Sequence, residues 1–312
     1  MTSLPDTDHT SALPIPETKG DRSLLVRLWH SRELVLTLVK RDLKIRYKSS
    51  ALGFLWSFGR PLLLLLVIWA VFATIARIPS SHPMLPYSLH LLTALLPWMF
   101  VTGVVSEALY AILANSNVIK KVWLPTEVFP ASTVIGHLVH FILAMVVLSV
   151  FIGGYALFGS IGGEKLGVMV LPGWEIAFLP LLVALQTALL LGVALIVSSL
   201  NVYYRDVSSL AEIVLTAWFY LTPAIYPANH AREELQARGL EFVYYIFLCN
   251  PMTPITLAYR RILYGRLFRG APEVSDTTLL LGLGVTVLVT AGTLGLGIWM
   301  FRRLSKRFAD EL

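Results

Sequence analysis

The chain has 312 residues, of which 56% are hydrophobic and 14% charged, and its mean hydropathy is +0.71. Water-soluble domains carry about 25% charged residues, so the composition excludes one. The net charge of +6 turns on where the basic residues sit, and the single cysteine, Cys249, excludes an intramolecular disulfide.

Residues 1–20 combine Pro5, Pro14 and Pro16 with Asp6, Asp8 and Glu17 and have no apolar core. They are expected to be a disordered tail rather than a signal peptide. Residues 21–50 predict an amphipathic interfacial helix: Leu25, Leu28, Val35, Val39 and Leu43 recur at helical spacing, while Lys40, Lys44 and Lys48 follow one another four residues apart. Then come six stretches without Asp, Glu, Lys or Arg: 61–76, 78–106, 128–158, 176–204, 213–229 and 277–301. A hydrocarbon core of about 30 Å needs roughly 20 helical residues, and 213–229 is the marginal stretch. None shows the two-residue alternation of a barrel strand. The predicted fold class is therefore all-α, a polytopic membrane protein with six transmembrane helices at about 52–76, 89–113, 128–158, 176–200, 208–226 and 277–301, ending in a basic tail, 302–312. Between the last two spans, the apolar pieces 242–249 and 251–259 are too short to cross; Pro223, Pro227, Pro251 and Pro254 supply breaks for re-entrant or interfacial helices.

Charge predicts the orientation. Sixteen basic residues fall on the side of the termini and eight on the other, so both termini, and the connection carrying Lys120 and Lys121, are expected to be cytoplasmic. Three charges interrupt apolar helices: Arg60, Glu107 and Glu212. An intramembrane charge is costly unless paired or hydrated. Arg60 is expected to pair with Glu107 or Glu212, the alternative being that each side chain snorkels alone to the interface.

Four motifs carry more specific information. The first is Arg41-Asp42, Arg46-Tyr47, Leu52-Gly53 and Trp56; the second is Val118-Ile119-Lys120-Lys121-Val122-Trp123-Leu124-Pro125 with Glu127 and Pro130; the third is Asn201-Val202-Tyr203-Tyr204-Arg205-Asp206; the fourth is Asn250-Pro251-Met252-Thr253-Pro254. In order and spacing they resemble ABC transporter permeases that export lipid-linked polysaccharides such as O-antigen, capsule and teichoic acid, over roughly residues 25–301. The resemblance implies that the segment around 116–123 docks into an ATPase subunit, with Val118, Ile119, Lys120, Lys121, Trp123, Pro125 and Glu127 as the coupling residues. It implies that two short helices gate the exit, and an inner-membrane location in a bacterium. A lipid phosphate would enter past Arg41, Lys44, Arg46, Tyr47, Lys48, Gly53, Trp56 and Arg60; for the basic residues among them the alternative is a plain anchor on anionic lipid heads.

No Walker-type phosphate loop occurs. Hydrolysis is therefore expected from a partner; together with the resemblance this implies ATP and magnesium on two copies of a partner ATPase, with no cofactor on this chain, and no nucleic acid is implied. Six helices are few to enclose a path for a sugar polymer, so a homodimer is expected. Aromatic faces suit sliding sugars, and Trp98, Phe100, Tyr110, Trp218, Phe219, Tyr220 and Tyr226 are candidates for the path; each is also explicable as interfacial belt or packing. His137 and His140 lie three residues apart without the Glu partner of a His-Glu-x-x-His site, so no metal is expected. Ala291 and Gly295 make a small-xxx-small pair for close helix approach. The competing readings are an exporter of a drug or small lipid, and a membrane-embedded glycosyl- or acyltransferase, which lacks a convergent acid–base constellation.

Overall fold

Apolar runs of this length hold their backbone hydrogen bonds within one segment only as helix, and helices are what form. The computed structural model describes residues 24–47, 87–121, 124–161, 172–263 and 273–312, together with Gly59, Leu63, Leu66, Val67, Ala70 and Val71. Among these residues the order is α1 (Leu24–His30), α2 (Arg32–Tyr47), α3 (Tyr87–Ala108), α4 (Ser116–Ile119), α5 (Val128–Ile161), α6 (Leu179–Tyr203), α7 (Val207–Tyr220), α8 (Ala228–Ala237), α9 (Glu241–Cys249), α10 (Met252–Leu263), α11 (Asp276–Leu304) and α12 (Phe308–Glu311), with no strand.

Four segments are long and apolar enough to cross a membrane: Leu89–Ala108, Val128–Gly154, Trp174–Tyr203 and Asp276–Arg307. They match the second, third, fourth and sixth predicted spans. The first predicted span, 52–76, lies outside the described residues except at six positions. The fifth differs: α7 has 14 residues, about 21 Å of helix, and it stops before Pro223, which has no amide to continue the ladder. The predicted second span also ends early, at Ala108, where the ladder tightens to Tyr110 N–Glu107 O at 3.1 Å and Ala111 N–Ala108 O at 3.2 Å, and the Asn201 side chain takes the Leu109 carbonyl at 2.8 Å.

The most extensive helix pair is α6 with α11. A Cβ on Gly297 would stand 2.6 Å from Gly192 O, and one on Gly192 would stand 2.8 Å from Leu294 N. These two glycines, rather than Ala291 and Gly295, let the backbones approach. Gly295 has nothing within 4 Å and is exposed, as is Ala291. Two residues along a helix rotate a position by about 200°, so Gly295 points away from the face that Gly297 presents.

The interfacial stretch forms two helices that break at Ser31, with hydrogen bonds continuing across the break from Ser31 N to Arg27 O and from Val35 N to Ser31 O, each 3.0 Å. Val35, Leu38 and Val39 are buried, while Lys40 and Lys44 are exposed. This face packs into a cluster with Ile112, Val128, Phe129, Leu195, Phe301 and Phe308, so the N-terminal helices and the C-terminal residues gather at the same end. A larger cluster, drawn from α3, α5, α6 and α10, fills the bundle. The two short apolar pieces fold as α9 and α10. Eleven of the twelve residues of α10 are buried, against α3, α6 and α11.

Candidate functional site

At the end where α1 and α2 meet the C-terminal residues, the connection from α3 to α5 projects a short turn. Leu113–Asn115 forms one turn of 3-10 helix and Ser116–Ile119 one of α-helix. Val118 is 40% exposed, Lys120 and Lys121 are exposed, and Pro125 is half-buried. Ile119 and Leu124 pack inward against the terminal cluster. The turn thus has an apolar underside and a basic outer face. Glu127 differs from the rest of this set: it is buried and pairs with Arg27 of α1. Trp123 lies outside the described residues.

Of the predicted lipid-phosphate residues, Arg41 and Lys44 are exposed on α2. Arg41 bonds Asp42 at 2.8 Å and Asn115 at 3.1 Å. Arg46 and Tyr47 are the last two residues of α2. Lys48, Gly53, Trp56 and Arg60 lie outside the described residues.

Between α3 and α7 runs an open groove of about 440 Å³. Its α3 side is Trp98, Thr102 and Ser106, continued by Leu109 and Tyr110; its α7 side is Ser208, Glu212, Leu215, Thr216, Phe219 and Tyr220. Helical spacing of three and four residues puts each set on one stripe. Four of the seven aromatic candidates, Trp98, Tyr110, Phe219 and Tyr220, meet here, with Trp98 and Phe219 ring centroids 5.4 Å apart. Hydroxyls and ring faces along one channel suit carbohydrate, and Glu212 is the groove's acid. The other three candidates point elsewhere. Phe100 stacks on Phe141 at 5.1 Å inside the bundle; Trp218 donates to Asn250 Oδ1 at 2.6 Å; Tyr226 donates to Tyr220 O at 2.8 Å.

Glu107 contacts His137, Oε2 to Nε2 at 2.9 Å. The contact is possible because residue 103 is glycine: a Cβ there would lie 2.5 Å from His137 Nδ1. Arg60, expected to pair with Glu107 or Glu212, lies outside the described residues. The His137 and His140 rings are 6.2 Å apart, and among the described residues no three His, Cys, Asp or Glu side chains gather as a metal site.

At the opposite end lies a polar knot that the sequence does not announce. Arg260, 1% exposed, sits on α10. Its Nη1 reaches Glu273 at 3.2 Å and its Nη2 donates to Pro223 O at 2.7 Å and Ala224 O at 3.3 Å. Glu273 also accepts from Ala228 N at 3.0 Å, and the buried His90 stands 4.0 Å from it. Tyr87 closes the group, donating to Ile225 O at 2.7 Å; burial pushes its hydroxyl up to about 12, against the nearby Arg260 charge, which lowers it. One signal was available: Arg260 and Arg261 follow directly on the apolar piece 251–259. Deeper in the bundle, Gln186 links α3 to α10, donating to Pro97 O at 2.9 Å and accepting from Tyr259 at 2.9 Å.

Residues 33–264 match the protein family described as ABC-2 type transporter. The chain is 29% identical over 289 residues to the O-antigen export system permease protein RfbA of Myxococcus xanthus, covering 93% of this chain and 99% of that protein. It is 28% identical over 280 residues to a protein of the same name from Klebsiella pneumoniae, covering 90% and 95%. A second Klebsiella pneumoniae protein of that name is 26% identical over 280 residues.

Proposed function

The chain belongs to the ABC-2 type transporter family, and on that premise we propose that it is the permease subunit of an ATP-driven exporter moving a lipid-linked, O-antigen-like polysaccharide outward across the bacterial cytoplasmic membrane. The observation that carries this reading is the nearly end-to-end similarity to O-antigen export permeases, 93% of this chain against 99% of one such protein. In this reading, segment 52–76 and α7 complete six spans with both termini cytoplasmic, and α9 and α10 dip back from the outer face. Two copies of the chain form the conduit, and two ATPase subunits dock on the turn at 116–121. The α3–α7 groove, facing the second copy, receives sugars on Trp98, Tyr110, Phe219 and Tyr220 with weak contacts that permit sliding, while the basic face of α2 receives the lipid phosphate.

The test is genetic and biochemical. A deletion strain is expected to accumulate undecorated lipid-linked glycan in the inner leaflet, and the tagged chain is expected to bring down a separate ATPase. Accumulation of no glycan, or nucleotide hydrolysis by the purified chain alone, would overturn the reading.

A further inference from the structure

The docking turn is not a free loop. Two side-chain contacts bracket it, and both come from the N-terminal helices. Ahead of the turn, Arg41 Nη1 donates to Asn115 Oδ1 at 3.1 Å, and Asn115 Nδ2 is itself fixed on Ala111 O at 2.8 Å. Beyond the turn, the Arg27 guanidinium pairs with the Glu127 carboxylate, whose side chain is only 7% exposed. A carboxylate this buried is costly without its cation. On the N-terminal side the two attachment points, Arg27 and Arg41, stand fourteen residues apart, one on α1 and one on α2. One contact would leave a pivot, whereas two fix orientation as well as position. Between them, Leu28, Ile119 and Leu124 pack against the same apolar cluster as Val35 and Val128.

We propose that Arg27 and Glu127, with Arg41 and Asn115, are positioning residues that make the interfacial helices travel with the docking turn as one body. A push delivered at Val118–Lys121 then moves the helices that carry the exposed bases Lys40, Arg41 and Lys44. This rests on the reading of 116–121 as the ATPase docking turn. A second role for Glu127 is available, since an acid at the start of α5 complements the helix dipole, but that role has no need of Arg27. The clamp needs both.

The experiment uses the permease with its partner ATPase in proteoliposomes containing lipid-linked glycan, and reads ATP hydrolysis and glycan moved per ATP. Arg27→Gln removes the cation of the clamp and changes no residue of the turn nor Glu127. It is expected to lower glycan moved per ATP about tenfold, the scale of a coupling free energy between sites, while hydrolysis continues; Arg27→Lys restores most of the coupling. In a Cys249→Ser background, the double variant Arg27→Cys and Glu127→Cys is expected to be uncoupled until a short bis-maleimide bridges the pair, whereupon coupling returns. Wild-type transport per ATP in Arg27→Gln, or a bridged complex that stays uncoupled, overturns the proposal. Failure of the docking reading looks different: the ATPase then neither copurifies with the wild-type chain nor changes its turnover in its presence.

Discussion

Replacing Glu273 by glutamine removes one charge from the knot at the far end and changes almost nothing in size. Its carboxylate, 4% exposed, faces the Arg260 guanidinium at 3.2 Å, and the Arg260 side chain is 2% exposed, so neither charge has water to fall back on. Leaving one member of a buried pair uncompensated costs about 3–5 kcal/mol. The amide keeps an oxygen for Ala228 N and for Arg260, which places Glu273→Gln near the lower figure. At roughly 2–4 °C per kcal/mol for chains of about 150–250 residues, a loss of about 3 kcal/mol corresponds to a drop of about 6–12 °C in the Tm of the detergent-solubilised protein. Arg260→Met is expected to cost more, because it also strips the donor from Pro223 O and Ala224 O. The double variant should lose less than the sum of the two, with a coupling of about 1–3 kcal/mol for groups in direct contact. A Tm for Glu273→Gln within about 2 °C of wild type, or full additivity in the cycle, would mean that the pair is hydrated and that this reasoning fails.

Gly297→Val pushes a side chain into Gly192 O, 2.6 Å from the ideal Cβ, and overpacking of this kind costs about 1–3 kcal/mol; Gly295→Val, with nothing within 4 Å, should leave Tm unchanged, and equal effects would refute the assigned face. Tyr87 is held protonated up to about 12, above its ordinary 10.0. The folded state therefore binds that proton more tightly than the unfolded chain, so its contribution is fully present below pH 10 and is lost as pH rises towards 12; a Tyr87→Phe protein should show a lower Tm at neutral pH and a shallower alkaline decline, measured by a Tm series from pH 8 to 12. Phe219→Ala and Tyr220→Ala should each slow glycan export while the protein stays folded in detergent. Phe100→Ala, which opens a hole beside Phe141, should instead lower stability by about 3–5 kcal/mol; the opposite ranking in a paired export and Tm measurement would mean that the groove is not the path.

Charge-free length made four of the spans legible, since a long apolar run has few alternatives in a bilayer. It overestimated the fifth because composition does not record where a helix stops, and Pro223 stops this one. Faces were harder than elements. Trp98 and Phe100 are equally aromatic, two residues apart and both buried in the bundle cluster, yet only Trp98 has an edge on the groove, a difference of about 200° in direction that has meaning only once the neighbours are known. The same rotation separates Gly297 from Gly295. Polar pairs were hardest, because pairing is not written in composition: Arg260 and Glu273 are separated by thirteen residues, and Arg27 reaches Glu127 across a hundred. The 118–125 motif stood out as a unit of sequence, but that Glu127 beside it is buried against Arg27 of α1 was not legible there.

The burial of α10 constrains how the protein is made. With Thr253, Thr256 and Arg260 among its buried residues, this helix is too polar and too short to enter lipid by itself. Its cavity between α3, α6 and α11 is complete only when α11 arrives, and the carboxylate that neutralises Arg260 leaves the ribosome thirteen residues after it. Insertion of the chain therefore cannot finish segment by segment in order of synthesis. A nascent chain arrested before residue 273 would hold Arg260 against the Pro223 and Ala224 carbonyls with no carboxylate to balance its charge.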